Sequence, residues 1–312
     1  MLVSPVTPRP AEPAFRIAFD GSPALAEPAT LQIRTPWLAG APVEALFPHV
    51  ATLPAAGGVQ LFQAGEFLLG YAREPLTHDD VAVHAEALYR RLLTACGRHH
   101  LYRAWNYVPQ INAQPGAVEN YRAFCLGRAR AFEKVLGPGF ETRLPAASAV
   151  GCEGRQLDVI FVAGENAPHH FENPEQVPAY HYPIEHGPRS PSFARATVAR
   201  DGANSVVFVS GTAAIKGHQT VAPGVLDGQL DCTLDNLRLI SRAVGLGDRF
   251  TSDRITRRQF KIYLRHPEDL GRARTRLERD LLQPTDTVTY LHAEICRAAL
   301  DVEIEATLFQ TG

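Results

Sequence analysis

The C-terminal end of the chain carries two glutamates and a cysteine whose spacing suits acid–base or nucleophilic chemistry. Glu303 and Glu305 lie in an otherwise apolar segment, DVEIEATL (301–308), and a strand would place both carboxyls on one face. That face is either exposed to solvent or partly buried, and burial would raise the pKa of Glu303 and make it a general acid. Cys296, seven residues earlier, is either a packing residue or a nucleophile. The pattern alone leaves both alternatives open for each residue.

Arginines are concentrated in two segments that would suit an anionic ligand. The segment from Tyr182 to Arg195 combines two arginines, aromatic residues and three prolines in a rigid turn. Rigid arginines bind carboxylates through paired hydrogen bonds. Tyr121, Arg122 and Arg128 lie on a predicted helix, where each arginine is either a binding group or an exposed helical charge. Since the net charge is −2, an anion must be held by such local arginines.

Small residues follow the apolar strand VVFV at the start of the second half. Gly211 and Ala213 would let a ligand approach the backbone closely. The sequence contains no GxSxG motif and no glycine-rich phosphate loop. Histidines at 99–100 and 169–170 are adjacent pairs, with His181 and His186 near the second pair. A strand would direct adjacent histidines to opposite sides rather than to one metal ion. The sequence therefore predicts neither a metal site nor an organic cofactor.

The elements that must position these residues form one pattern that occurs twice. In the first half we predict a hairpin, a helix, a strand, a helix and a strand, at 59–72, from Val81 to about Gly97, 101–111, 117–136 and 157–164. In the second half we predict a hairpin with its turn at Asp201-Gly202, a helix, a strand, a helix and two strands, at 193–211, 227–244, 257–266, 270–282, 287–295 and 301–308. The offset of about 145 residues indicates an internal duplication. In this alignment Ile160 of the first copy corresponds to Glu303 of the second.

The duplication predicts an α+β protein of two tandem α/β domains. We assign 1–164 to an N-terminal domain, 165–183 to a connector and 184–312 to a C-terminal domain that carries Glu303. Residues up to about 50 are rich in proline and alanine and are predicted to form an extended arm with short strands. Thr77 and Asp80 predict the start of the first helix.

Composition excludes several classes of protein. A chain of 312 residues with 45% hydrophobic and 21% charged residues is typical of a globular protein, and its charge provides no basic surface for nucleic acid. No apolar run approaches the length of a membrane span. Five widely spaced cysteines without a CxxC pair are typical of a reducing compartment, so we predict a cytoplasmic protein that binds neither nucleic acid nor membrane.

Three short blocks resemble the Rid family of reactive-intermediate deaminases. They are Gly187-Pro-Arg-Ser190, Val209-Ser-Gly211 and Glu303-Ile-Glu-Ala306, in the order that the family uses. This resemblance covers the C-terminal half and implies a Rid-like (chorismate-mutase-like) fold for each domain. It also implies that the chain acts as a monomer or as a trimer with sites between subunits.

Longer blocks across most of the chain resemble the chorismatases, which are built from two Rid-like domains. The matching blocks are Asn120–Arg128, His169–Pro174, Gly187–Arg195, Val209–Ala213 and Cys296–Glu305. The resemblance implies a cofactor-free enzyme that removes pyruvate from chorismate, with Glu303 as the general acid. It also implies that Tyr121, Arg122, Arg128, Tyr182, Arg195, Gly211 and Ala213 bind the substrate.

Two residues give conflicting indications of the second product. Cys296 occupies the position that carries a cysteine in the members that form 3-hydroxybenzoate, alone or with 4-hydroxybenzoate. Ala213 is instead similar to the residue of the members that form a dihydrodiol. We give the cysteine more weight, because a thiol could open or trap a reactive ring intermediate. The alternatives are a dihydrodiol-forming enzyme, an imine deaminase of the Rid type, a ligand-binding module without catalysis and a metal-dependent oxygenase that uses the histidines.

Overall fold

The structure of the chain is a computed structural model that describes residues 14–21, 29–76 and 81–312. Its helices are α1 (Val81–Cys96), α2 (Asn120–Leu136), α3 (Leu226–Ala243) and α4 (Leu270–Asp280). Its strands are β1 (Phe15–Asp20), β2 (Thr30–Gly40), β3 (Val43–Phe47), β4 (Ala51–Ala56), β5 (Val59–Ala64), β6 (Phe67–Pro75), β7 (His100–Pro109), β8 (Ala146–Cys152), β9 (Gln156–Gly164), β10 (His169–Phe171), β11 (Ala196–Asp201), β12 (Asn204–Ala213), β13 (Ile215–Lys216), β14 (Gln219–Thr220), β15 (Ile255–Leu264), β16 (Thr287–His292) and β17 (Val302–Gln310). The predicted helix start at Thr77 and Asp80 lies outside the described residues.

The strand order repeats between the two halves. The first half contains the order β5-β6-β9-β7-β8 and the second the order β11-β12-β17-β15-β16. In both, a hairpin is followed by the last strand of its half, and the two remaining strands pair in parallel. We call these two units the first and second repeats. Within the strand orders of the two repeats, the sequence pattern missed β8, whose residues AASAVGC are mostly too small to give a clear strand signal.

The predicted N-terminal arm does contain strands, and they join the sheet of the second repeat. β2 pairs antiparallel with β16, with Tyr290 opposite Ala39. β1 and β3 continue the sheet outwards, which gives it nine strands, whereas the sheet of the first repeat, with β4, has six. The arm therefore precedes the first repeat in the chain but extends the second. The division at residues 164 and 183 stays a prediction.

The two sheets pack against each other, and the helices cover their outer faces. Phe62 and Trp105 of the first repeat and Phe208 of the second belong to one buried cluster between the sheets, while α1 and α2 pack on the far side of the first sheet and α3 and α4 on the far side of the second. Because side chains alternate along a strand, every second residue of β17 points toward the first repeat. No helix among the described residues is long and apolar enough to cross a membrane.

Candidate active site

A cavity of about 550 Å³ lies between the two repeats and is lined by the end of β12 and the start of β17. The start of α2, the segment before β11 and the loop between β16 and β17 complete its wall. Of the predicted site residues, all but Arg128 line it: Glu303, Cys296, Tyr121, Arg122, Tyr182, Arg195, Gly211 and Ala213. Residues that are far apart in the sequence therefore meet in one place.

Arg128 lies in a narrow recess next to this cavity. The recess is also lined by Tyr121, Cys296 and Glu303. The Arg128 side chain is only 2% exposed, and its guanidinium lies over the Phe124 ring at 5.0 Å. Its Nε is buried without a hydrogen-bond partner. Arg128 thus provides positive charge below the cavity and is not an exposed helical charge.

Glu303 is a buried carboxyl whose proton is available at neutral pH. The residue is 3% exposed, its Oε1 has no hydrogen-bond partner, and its Oε2 accepts a long contact from the Cys296 thiol at 3.9 Å. Burial, and then the charge of Glu305, raise the pKa of Glu303 to about 8, although Arg103 and Arg195 act in the opposite direction. The alternative of a solvent-exposed strand face is therefore wrong for this strand.

Glu305, on the same face of β17, is held in the opposite state of protonation. It accepts hydrogen bonds from Arg103 Nη2 and Trp105 Nε1, both at 2.7 Å, and forms an ion pair with Lys261 Nζ at 2.9 Å. Burial would raise the pKa of Glu305, but the charges of Lys261 and Arg103 lower it below its usual value. Two neighbouring carboxyls whose pKa values are driven apart are typical of acid–base sites.

Lys261 connects this network to the N-terminal arm. It is 2% exposed and also forms an ion pair with Glu44 of β3 at 2.7 Å. Burial acts to lower the pKa of Lys261, but the charges of Glu305 and Glu44 raise it above its ordinary value. Three elements, β3, β15 and β17, are thereby joined through one buried ammonium group.

Cys296 is a protonated thiol rather than a thiolate. Burial raises the pKa of its thiol, and the charge of Glu303 raises it further. The residue lies in the loop before β17, beside the carboxyl of Glu303. Cys296 lies in the cavity wall, where it can contact a bound substrate. Because the pKa of its thiol is raised, it is not an ionised nucleophile before the substrate binds.

The carboxyl of Glu303 leaves no space for a side chain at position 211, which is a glycine. A β-bulge between Val209 and Thr212 interrupts the pairing of β12 with β17, and a Cβ atom at Gly211 would lie 2.0 Å from Glu303 Oε1. The same atom would lie 3.1 Å from the Cβ of Ser148. The group that lies against the backbone at Gly211 is therefore the Glu303 carboxyl, and the predicted approach of a ligand stays a prediction.

Three arginines surround the cavity. Arg195 is buried and donates to the Tyr182 hydroxyl at 2.7 Å, and its Nε has no partner. Arg122 is partly exposed and pairs with Glu119 at 3.4 Å. Arg297 lies over the Tyr182 ring at 5.4 Å. Together they place three guanidinium groups in the cavity wall, and guanidinium groups are the usual donors to carboxylates.

Sequence reasoning missed several residues of this site. Arg297 could have been found from its position next to Cys296 in the matching block Cys296–Glu305. Arg103, Lys261 and Ser148 lie in strands whose sequence gives no sign of which neighbours they meet. Arg103, for example, reaches Ser148 on the neighbouring strand of its own sheet and Glu305 of the second repeat, and only the packing of the two repeats creates the second contact.

Comparison with known proteins identifies the family. The chain matches the family model described as chorismatase FkbO/Hyg5-like, N-terminal, over residues 48–163. It is 35% identical to a 3-hydroxybenzoate synthase from Streptomyces hygroscopicus, over 80% of this chain and 76% of that protein. The chain belongs to the chorismatase family. A chorismatase from Streptomyces rapamycinicus is also 35% identical, over 80% of this chain and 77% of the relative.

A solved structure extends the match to the whole fold. The crystal structure of a chorismatase superposes with a TM-score of 0.78 at 28% identity and covers 94% of this chain and 92% of its own. Together with the repeated strand order, this confirms the predicted fold class, an α+β chain with two tandem α/β units. In this chorismatase family member, the cavity lies between those two repeats.

Proposed function

We propose that this chorismatase cleaves the enolpyruvyl ether of chorismate into pyruvate and 3-hydroxybenzoate, with or without 4-hydroxybenzoate. The observation that carries the proposal is the buried carboxyl of Glu303, whose pKa is raised to about 8, in a cavity lined by arginines. A 3-hydroxybenzoate synthase among the relatives supports the choice of product.

The first step requires an acid and no metal or organic cofactor. Glu303 donates its proton to the terminal methylene carbon of the enol ether, which leaves an oxocarbenium ion on the carbon bonded to the ether oxygen. When water attacks this carbon, the hemiketal that forms releases pyruvate and leaves the ring as a dihydrodiol. For hydroxybenzoate, the bond between the ring carbon and the ether oxygen breaks instead, which releases pyruvate as the ketone and leaves a ring cation. Loss of one ring proton, which returns to the Glu303 carboxylate, then gives the aromatic product without water. The carboxyl must be neutral before the first step, which burial ensures.

Binding of the substrate requires charge compensation, because chorismate carries two carboxylates. Arg195, Arg297 and Arg122 line the cavity and supply donors for carboxylate oxygens. The free Nε of Arg195 and the recessed Arg128 add further positive charge. Tyr121 and Tyr182 provide aromatic walls for the ring of the substrate.

Cys296 is assigned to the chemistry of the ring. Pyruvate and hydroxybenzoate together contain all the atoms of chorismate, so this outcome consumes no water, whereas formation of a dihydrodiol consumes one. The Cys296 thiol in the cavity wall could open or trap the ring intermediate before water does. Ala213, also in the wall, favours the dihydrodiol as the second candidate product.

The activity is tested by incubating chelator-treated protein with chorismate. Pyruvate is measured by a coupled assay, and the ring products are separated by chromatography. We expect 3-hydroxybenzoate, with or without 4-hydroxybenzoate, and a total amount of hydroxybenzoate equal to that of pyruvate. Absence of pyruvate would reject the proposed function, and pyruvate with only a dihydrodiol would replace the proposed product.

Replacing Cys296 by alanine is expected to change the products rather than stop the reaction. Pyruvate release should continue, because Glu303 loses only the long contact from the Cys296 thiol and stays buried, while the share of hydroxybenzoate falls and that of dihydrodiol rises. Chromatography of the ring products measures this share. Cys96→Ala is the matched control, since Cys96 is buried in the core of the first repeat and should leave the product ratio unchanged. An unchanged ratio in Cys296→Ala would contradict the assignment.

Gly211→Ala is expected to lower kcat/KM about 100-fold or more, because displacement of a catalytic group by about 1 Å has an effect of this size. The added Cβ would displace the Glu303 carboxyl, which cannot remain 2.0 Å away. Gly271→Ala in α4 is the control, since nothing lies within 4 Å of its Cβ. Steady-state kinetics of both variants, with circular dichroism to check folding, tests this. Near wild-type kinetics in Gly211→Ala would show that Glu303 tolerates displacement.

The cavity contains residues of both repeats of a single chain, so one chain holds the full set of proposed groups. We propose that the protein acts as a monomer or as a trimer, with the cavity inside each subunit. The five cysteines are all free, which supports a reducing, cytoplasmic location.

A further inference from the structure

A cluster of three metal-binding side chains lies at the edge of the cavity, outside the proposed chemistry. Glu185 and His186 lie on a short 3₁₀ turn, Ile184–His186, and His218 lies between β13 and β14. Among the described residues, these three are the group of three or more possible metal ligands whose ligand atoms all lie within 4.8 Å of one another. The histidines are neither of the adjacent pairs at 99–100 and 169–170, so spacing along the sequence did not point to them.

The distances between the donor atoms match one face of a tetrahedron. His186 Nε2 lies 2.9 Å from His218 Nδ1, and Glu185 Oε1 lies 3.5 Å from the first and 3.4 Å from the second. Zinc bonds of about 2.0–2.2 Å in tetrahedral geometry place neighbouring ligand atoms roughly 3.3–3.6 Å apart. The three atoms thus need to move by only a few tenths of an ångström to bind one ion.

The neighbours of the cluster hold both histidine segments in place. Arg297 Nη1 donates to the backbone oxygen of His218 at 2.9 Å, and the Tyr182 ring lies 5.2 Å from the His186 ring. The positive charge of Arg297 opposes a bound cation, while the carboxylate of Glu185 favours one. Gln219 Nε2 lies 3.1 Å from both Glu185 Oε1 and His218 Nδ1, so this amide would have to move aside for an ion. His186 also lines the cavity.

We propose that Glu185, His186 and His218 form a Zn²⁺ site that joins the turn before the second repeat to the loop between β13 and β14. Two imidazoles and one carboxylate are a ligand set that zinc uses, with water in the fourth position. Mg²⁺ and Ca²⁺ prefer oxygen ligands and should bind much more weakly. The ion would restrain two segments that are 32 residues apart in the chain.

The test uses full-length protein freed of metal with a chelator and then dialysed. Zn²⁺ binding is measured by competition with a chromophoric chelator, and the melting temperature is recorded with and without Zn²⁺ or Mg²⁺. We expect one equivalent of Zn²⁺, a rise in Tm with Zn²⁺ only, and a Co²⁺ form with the strong visible absorption of a tetrahedral site.

His186→Asn and His218→Asn should each weaken Zn²⁺ binding by about tenfold or more and abolish the Zn²⁺-dependent rise in Tm. His181→Asn is the control, because His181 is exposed on the same segment but outside the cluster, and it should bind as wild type does. The Tm of each variant without metal shows whether it folds. Retained binding in both cluster variants, or no binding by the wild type, would overturn the proposal. Since no substrate is present, this result is independent of the proposed activity.

Discussion

Glu303→Gln is expected to lower kcat/KM for pyruvate release by about 10²–10⁴-fold, the usual contribution of a general acid. Glutamine preserves the size of the side chain but has no acidic proton to donate. Asp158→Asn is the matched control, because Asp158 is also a buried carboxyl whose pKa burial raises, on the equivalent strand of the first repeat. It pairs with Arg73 away from the cavity, so its removal should leave kcat/KM within about tenfold of wild type. Retained activity in Glu303→Gln would remove Glu303 from the mechanism.

The pH dependence provides a second measurement of the same carboxyl. The acid form is lost as pH rises through the raised pKa of about 8, so wild-type kcat/KM should fall above that pH. The neutral form of Glu303 also stabilises the fold, fully below about 4.5, its ordinary pKa, and progressively less as pH rises to about 8. Glutamine is neutral throughout. The Tm of Glu303→Gln should therefore rise relative to wild type between those two pH values, and a constant difference would contradict the raised pKa.

Lys261→Met is expected to reduce the free energy of unfolding by about 3–5 kcal/mol, because it leaves the buried carboxylates Glu305 and Glu44 without their shared counter-ion. Chemical denaturation at neutral pH measures the loss. The effect should shrink at low pH, where protonation neutralises both carboxylates.

Lys216→Met is the matched control for this prediction. Lys216 also forms an ion pair with a glutamate, Glu175, but both side chains are partly exposed, at 35% and 54%. Exposed pairs contribute about 0–1 kcal/mol, so the control should change little. Equal losses in the two variants would show that the buried network does not stabilise the fold as proposed.

The sequence predicted the elements of both repeats because each has a clear period. The apolar residues Val81, Ala85, Leu88 and Leu92 recur at helical spacing, and all are buried on one face of α1. The Asp201-Gly202 turn was likewise confirmed, between β11 and β12. The start of α2 was predicted at about 117 but lies at Asn120. The three residues from Ala117 to Glu119 come directly after Pro115-Gly116, a pair typical of turns, and are not helical.

The candidate site could be predicted only where one residue broke a local pattern. Glu303 was found because an acidic residue replaces the apolar Ile160 of the other repeat, and Arg195 because it ends a rigid, proline-rich segment. Arg103 could not be found, because its role depends on the strand of the opposite sheet that it meets. Lys261 could not be found either, because its role depends on which strands of its own sheet become its neighbours. Alternation along a strand tells which side chains share a face, but it does not tell what that face will contact.

The pairing of β2 with β16 has a consequence for folding during synthesis. Ala39 and Tyr290 are neighbours across these strands but are separated by 251 positions in the chain. The strands of the first repeat all lie between Ala51 and Gly164, so they can pair while the rest of the chain is still being made. The arm emerges first, but β2 can join the sheet of the second repeat only after β16 has been translated, near the end of the chain. Closing such a long loop slows folding. We therefore expect the strands of the first repeat to pair before β2 pairs with β16.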